Sequence, residues 1–246
     1  MPQSQLIHYA LSRPGGREVN EDTCKYTNHK KQFCYVVADG LGGHGGGDIA
    51  SQTATNATIT TFRRWPSISS NSLKSIIHNA DTAIRKHKET APNLANMHTT
   101  IVVMLSNGKH AVWAHIGDSR LYHFRAGRYI NRTRDHSVPQ VMADAGDISE
   151  RAIRYHEDRN RVLRSLGDER SLAIDSISKP CVLQRGDAFL LCTDGFWEHV
   201  LELEMEAELA KSNTPEDWIK RMVIDRLLRR APSTYDNYTA LGVFVQ

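Results

Sequence analysis

The sequence predicts an α+β fold in which antiparallel sheets are covered by helices. Three features of the 246-residue chain predict it. Between Thr99 and Arg132, β-rich runs follow one another through tight turns, the first being Ser106-Asn107-Gly108-Lys109, whose Asn-Gly pair suits a hairpin. Two helical stretches, 48–63 and 72–87, lie together ahead of these strands instead of alternating with them. Val36-Val37-Ala38 and Leu190-Leu191-Cys192 are short apolar runs that each lead into Asp-Gly, as buried strands do where they meet a loop.

Leu6 to Leu11 forms a first strand and Arg13-Pro14-Gly15-Gly16 a turn. Arg17-Glu18-Val19-Asn20-Glu21-Asp22 then concentrates four charges and an asparagine in six residues. A strand through Cys24-Lys25-Tyr26 leads over the polar tip 28–31 into Phe33–Ala38, which stops at Asp39 and aims that carboxylate out of the sheet. Asp48 is the expected N-cap of the next helix, with Ile49, Thr53, Ala57 and Thr60 along one face. After the Ser-rich loop 66–71, Leu73, Ile76, Ile77, Ala80 and Ile84 recur at helical spacing. A loop over 91–97 precedes strands 99–105 and 111–116; the turn Gly117-Asp118 then leads to strands 119–124 and 129–132.

From Asp135 the character changes. Val138–Ala145 is a helix stopped by Gly146, and Ile148–Arg164 is polar, Arg-rich and expected as an exposed flap, not core. Strands 172–177 and 188–192, helices 201–211 and 218–230, and a strand over 238–245 follow. No linker, repeat or low-complexity run divides the chain, so 1–246 is read as a single domain with a flap at about 144–166.

Hydrophobic residues make up 40% of the chain, enough for a core. A net charge of +3 is too small to argue for nucleic acid, and no apolar run nears the roughly 18 residues of a membrane span. Residues 1–5 have neither the basic region nor the apolar core of a signal peptide, so the expected compartment is the cytoplasm. Cys34 and Cys192 lie in apolar runs as core thiols, whereas Cys24 and Cys181 read as free thiols with a disulfide left open. Without a Cys-x-x-Cys, a structural zinc site is not expected.

The loop after Asp39 holds six glycines in the eight positions 40–47. Glycines between a strand and a helix can cradle a phosphate, but no Gly-Lys-Ser/Thr closes this loop. The alternative is a metal site with Asp39 as a hard oxygen ligand beside a loop carbonyl. Acidic residues recur where strands give way to loops: Glu21-Asp22, Asp39 before Gly40, Asp118 after Gly117, Asp194 before Gly195 and Asp236 before Asn237. Gathered at one edge they would repel unless cations neutralise them, and an all-oxygen set suits Mg²⁺ or Mn²⁺. A pair of such ions is a known arrangement for phosphate-ester hydrolysis.

Five motifs in order, Arg17-x-x-Asn20-Glu21-Asp22, Ala38-Asp39-Gly40-Leu41-Gly42-Gly43-His44, Gly117-Asp118-Ser119-Arg120, Cys192-Thr193-Asp194-Gly195 and Asp236-Asn237-Tyr238-Thr239, span residues 17–239. With them the sequence resembles the metal-dependent protein phosphatases, the type 2C Ser/Thr family, and its compact bacterial branch in particular. The resemblance implies an α–β–β–α sandwich of two mostly antiparallel sheets with the metal site at one end. It implies that Asp39 bridges two Mn²⁺ or Mg²⁺ ions, that the Gly40 carbonyl binds one, and that Asp194 and Asp236 bind the other. Glu21 with Asp22 would hold metal-bound waters, Asp118 a third, weaker ion, and Arg17 the substrate phosphate, unless Arg17 merely pairs with Glu21 or Asp22. A water shared by the two ions would attack phosphorus directly. Arg151, Arg154, Arg159 and Arg161 of the flap would steer acidic phosphopeptides or form a solvated basic face. The implied partners are phosphorylated Ser/Thr proteins and a cognate kinase, in signalling that sometimes controls a secretion apparatus, with the enzyme a monomer and neither nucleic acid nor membrane involved.

The sequence departs from the family at Leu41, Gly45, His98, Glu198 and Tyr235, where Met, a small residue, Gly, Asp and Gly are usual. Glu198 would still reach the third ion with a longer arm. His44 is too far along the loop to be carried over as proton donor from animal members, so the general acid is unassigned.

Overall fold

A computed structural model of the chain describes residues 5–42, 45–168 and 172–246. In order the strands are β1 (Leu6–Arg13), β2 (Asp22–His29), β3 (Gln32–Leu41), β4 (His98–Thr99), β5 (Ile101–Ser106), β6 (His110–Ile116), β7 (Arg120–Arg125), β8 (Arg128–Arg132), β9 (Asp175–Ser176), β10 (Cys181–Val182), β11 (Ala188–Cys192) and β12 (Tyr238–Val245). The helices are α1 (Gly47–Arg64), α2 (Ser70–Thr90), α3 (Val138–Ala145), α4 (Asp194–Trp197), α5 (Glu202–Leu209), α6 (Pro215–Met222) and α7 (Leu228–Arg230). One sheet runs β1-β12-β11-β7-β8 and the other β10-β6-β5-β3-β2, with β4 beside β3 and β9 beside β6.

Strand alternation sets the layers. In β3, Tyr35 and Val37 point between the sheets, where they meet Val102, Met104, Phe189 and Leu241. Cys34 and Val36 point the other way, onto Ala50 and Ala54 of α1 and Ile76 and Ile77 of α2. Leu190, Cys192 and Ala240 of the first sheet face Trp197, Trp218 and Met222 of the helices on its outer side. A strand buried on both faces has no polar side to show, which is why these runs are continuously apolar. The expected α–β–β–α arrangement is what forms.

Several boundaries differ from the sequence reading. β3 continues past Ala38 to Leu41 because β4 pairs with Gly40 and Leu41, so Asp39 lies inside a strand and not beyond its end. The cap of α1 is Gly46, with φ 103°, and Asp48 instead sits in the first turn, where its charge favours the helix dipole. The strand expected over 99–105 breaks at Thr100, whose N–H donates to the Asp39 carbonyl at 2.9 Å. Of 172–177 only Asp175–Ser176 pairs as a strand, while Leu172, Ile174 and Ile177 pack against the helix-side core. The last long helix begins earlier, at Pro215, because the Thr214 hydroxyl accepts from Asp217 N at 3.1 Å, and it loosens into a π-turn over Val223–Leu227. All four cysteines are free. Among the described residues no helix is long and apolar enough to cross a membrane.

Gly40 is a steric requirement: a Cβ there would lie 2.1 Å from the Gly47 carbonyl oxygen and 2.7 Å from that of Glu21. Gly40→Ala must push apart α1 and the start of β2, and is expected to cost about 1–3 kcal/mol, read as a lower melting temperature by circular dichroism.

Candidate metal centre

The strand ends at one edge of the sandwich carry the acidic residues. Asp22 and Asp39 are direct cross-strand partners in β2 and β3. Asp118 lies in the turn between β6 and β7, Asp194 opens α4 straight after β11, and Asp236 precedes β12. Pairing of β11 with β12 is extended by Thr193 N–H donating to the Thr239 carbonyl at 3.1 Å, which sets Asp194 close to Asp236. Gly195 permits this approach, since a Cβ there would meet the Asn237 carbonyl at 2.1 Å.

A buried polar layer fixes these ends. Asp39 N–H donates to Thr100 Oγ1 at 3.0 Å, and Thr99 Oγ1 donates to the Asp39 carbonyl at 2.7 Å. Thr193 Oγ1 donates to Asp22 Oδ2 at 2.8 Å. Glu21 N–H donates to Asn237 Oδ1 at 2.8 Å, and Asn237 Nδ2 ties down the Pro14 and Val19 carbonyls at 2.8 and 2.9 Å.

The carboxylates repel one another. Burial, then the charges of Asp22, Asp194, Asp118 and Asp236, push Asp39 well above the usual carboxylate range. Burial also raises Asp22, against the Thr239 and Thr193 hydroxyls that pull it back. Asp194 is raised by burial and Asp236, and Asp118 by burial, Asp194 and Asp135. Asp22 and Asp118 are closed off, whereas Asp39, Asp194, Asp236 and Glu198 keep partial access to solvent. One oxygen of Asp22, Oδ1, is buried with no hydrogen-bond partner among the described residues. Crowded carboxylates, an orphaned oxygen and an open side are what a divalent-cation site needs, and oxygen donors alone select hard ions. The residues fit the ions that the sequence implies.

The model for protein phosphatase 2C matches residues 14–223. The chain is 32% identical over 204 residues to the serine/threonine phosphatase stp of Listeria innocua, covering 80% of each chain. The chain belongs to the protein phosphatase 2C family. It is a metal-dependent serine/threonine protein phosphatase of the bacterial branch. Its fold superposes on the catalytic domain of the serine/threonine protein phosphatase PstP in complex with two manganese ions, with TM-score 0.81, 26% identity and 98% of both chains covered. PppA, a key regulatory component of T6SS in Pseudomonas aeruginosa, gives TM-score 0.76 at 29% identity, again over 98% of both chains.

Around the aspartates of this phosphatase the remaining expected residues are placed less uniformly. Glu21 is raised by burial and by Asp48 and Asp236, and so shares the cluster's field. Arg17 is exposed and pairs with Asp236 Oδ2 at 3.0 Å, not with Glu21 or Asp22. Glu198 is raised by burial and by Asp194, and its Oε1 lies 3.1 Å from Arg159 Nε, so a flap arginine reaches the rim. The flap is less exposed than expected, because Ile153 joins the apolar core and Arg154 is buried with it. Arg161 pairs with Asp158 at 3.3 Å, and Arg151 is exposed. His44 lies outside the described residues. His98 is unstrained in β4 opposite Leu41, and Tyr235 packs on Tyr238 with ring centroids 5.9 Å apart.

A second cluster joins His115, His136 and Asp175, whose ligand-type atoms lie within 4.8 Å of one another. Its hydrogen bonds assign it otherwise. His136 Nδ1 accepts from Gly117 N–H at 3.1 Å, so the ring proton sits on Nε2, 3.1 Å from Asp175 Oδ2. His115 Nε2 donates to the Arg134 carbonyl at 2.7 Å, and burial pushes this imidazole down to about 4. His136 N–H also donates to the Gly117 carbonyl at 2.9 Å, and its own carbonyl accepts from Leu163 N–H at 2.7 Å, so it links the turn before Asp118 to the flap. Sequence reasoning gave no role to His136, to Asn237 or to Thr193; the only signal was their placement beside a candidate aspartate or a helix start.

Proposed function

We propose that this phosphatase removes phosphate from phosphoserine and phosphothreonine proteins at the aspartate cluster, with Asp39, the Gly40 carbonyl, Asp194 and Asp236 holding two Mn²⁺ or Mg²⁺ ions. The supporting observation is the convergence of five aspartates from distant parts of the chain into one field of mutual repulsion. Glu21 and Asp22 are assigned to hold water in the cluster, and Asp118 with Glu198 to take a third, weaker ion. Bound divalent ions would lower the pKa of water and neutralise charge on the phosphoryl oxygens. Arg17, exposed and paired only at the rim, is assigned to leave Asp236 and fork onto the substrate phosphate. The raised carboxylates at the cluster's rim would take protons readily while the site is empty of cations, so metal loading and proton release go together.

The deciding assay is phosphate release from a phosphothreonine peptide with Mn²⁺ and with EDTA. Turnover only with Mn²⁺ is expected; equal, near-zero rates in both would favour a phosphoprotein-binding role. Arg17→Ala is expected to raise KM for the peptide about 10- to 100-fold with a smaller change in kcat, the loss of charge-assisted hydrogen bonds to a bound phosphate.

The same reading gives the enzyme a cognate Ser/Thr kinase whose work it reverses, in the cytoplasm and as a monomer. Four free thiols agree with a reducing compartment. Secretion-system signalling is the partner context that the likeness to PppA supports.

A further inference from the structure

The flap closes over a cavity that none of the metal-site residues lines. It has a volume of about 470 Å³, within the range of small-ligand pockets. Its floor is arginine: Arg132 and Arg154 are buried there, and Arg151 stands exposed at the lip. Its walls are Tyr129, Tyr155 and Leu203, the last two 69% exposed at the mouth.

The charges do not cancel. Arg120 gives Nε and Nη2 to Asp135 at 2.8 and 2.6 Å and Nη1 to Tyr122 at 2.8 Å, so it is fully used. Arg154 gives Nη2 to Glu202, but its Nη1 is buried with no hydrogen-bond partner among the described residues. Arg132 gives Nη1 to the Thr133 carbonyl at 2.7 Å and Nη2 to Gln140 Oε1 at 3.1 Å, while Glu150, largely exposed, stands 3.9 Å away and is too distant to hydrogen-bond it. Four arginines thus face three carboxylates, with one buried guanidinium nitrogen unsatisfied. Leaving a buried donor unpaired is costly, and native structures usually supply a partner from water, an ion or a ligand. Exposed tyrosine and leucine at the mouth add a demand for apolar area that water and a bare ion do not meet.

We propose that this cavity is a binding pocket for a small aromatic anion, whose acidic group takes up the spare cationic capacity of Arg151 and Arg154 while its ring lies between Tyr129, Tyr155 and Leu203. Arginine suits this because its weakly hydrated planar fork pairs with oxyanions and stacks on flat rings. The pocket reaches the metal cluster through Trp197: Arg120 stacks on its ring at 3.4 Å and Arg154 lies over it at 5.6 Å, and Trp197 Nε1 donates to the Asp118 carbonyl at 3.0 Å.

The test is a fluorescence titration of the full chain with 8-anilino-1-naphthalenesulfonate, beside the uncharged N-phenyl-1-naphthylamine. One saturable sulfonate site per chain is expected. Arg151→Glu should weaken it about fivefold or more, and Glu150→Gln should tighten it, while the uncharged dye responds to neither. Both positions are exposed, so folding is retained, and melting curves check it. Leu203→Asp should weaken both dyes. No saturable sulfonate binding, or the same sulfonate affinity in Arg151→Glu, Glu150→Gln and the parent chain, would overturn the assignment whatever the phosphatase assay gives.

Discussion

Asp194→Asn is expected to lose at least about a hundredfold in turnover while remaining folded, and, without metal, to melt higher than the parent protein. The two effects share one cause. Asp194 is crowded by Asp236 and raises Asp39 in turn, so removing its charge relieves repulsion that the metal-free chain must otherwise bear. Activity falls because a carboxylate held for a divalent ion has become a weak neutral ligand. Phosphate release from a phosphothreonine peptide at saturating Mn²⁺ measures the first effect, and a thermal melt in EDTA the second. Retained metal-dependent turnover in a folded variant would count against the site, and a lower melting point in EDTA would count against the repulsion.

Mn²⁺ is expected to stabilise the parent chain more at pH 8 than at pH 5.5. The folded-state values of Asp22, Asp39 and Asp194 are raised by burial first and then by neighbouring carboxylates, Asp236 acting on all three. A raised carboxylate contributes stability that is fully present below its unfolded value and lost as pH climbs through its folded value. The metal-free chain should therefore weaken from the ordinary aspartate value of 3.8 up to about 8, where Asp22 is pushed. Cations reverse this by pairing with the ionised forms, so binding tightens as pH rises. At a hundredfold excess over Kd the gain is about 2.7 kcal/mol, or a rise of roughly 5–10 °C for a chain of this length. Melting curves with and without Mn²⁺ at the two pH values give the comparison. A shift that is flat, or larger at pH 5.5, would mean that the carboxylates do not take up the ion.

The layers were legible because the continuous apolar runs are short and stop at Gly-containing turns, as strands buried on both faces do. Asp39, Asp118, Asp194 and Asp236 were legible because each stands beside Gly or Asn close to an end of an apolar run. What escaped depends on contacts between distant segments. Nothing local says that β4 will extend β3 past Asp39, because a two-residue strand has no period to detect. Nor does local pattern show that Asp22 lies opposite Asp39, since register is settled by pairing along the whole of β2 and β3. Arg154 looked like a surface charge in a polar stretch. Its burial follows from Glu202 and Trp197, which are more than forty positions away.

Crystals grown with manganese and measured at its absorption edge would test the central claim most directly. Two anomalous peaks are expected, flanked by Asp39, Asp194 and Asp236, with Gly40 at one of them. Manganese absent from that cluster, or bound only between His115, His136 and Asp175, would contradict it.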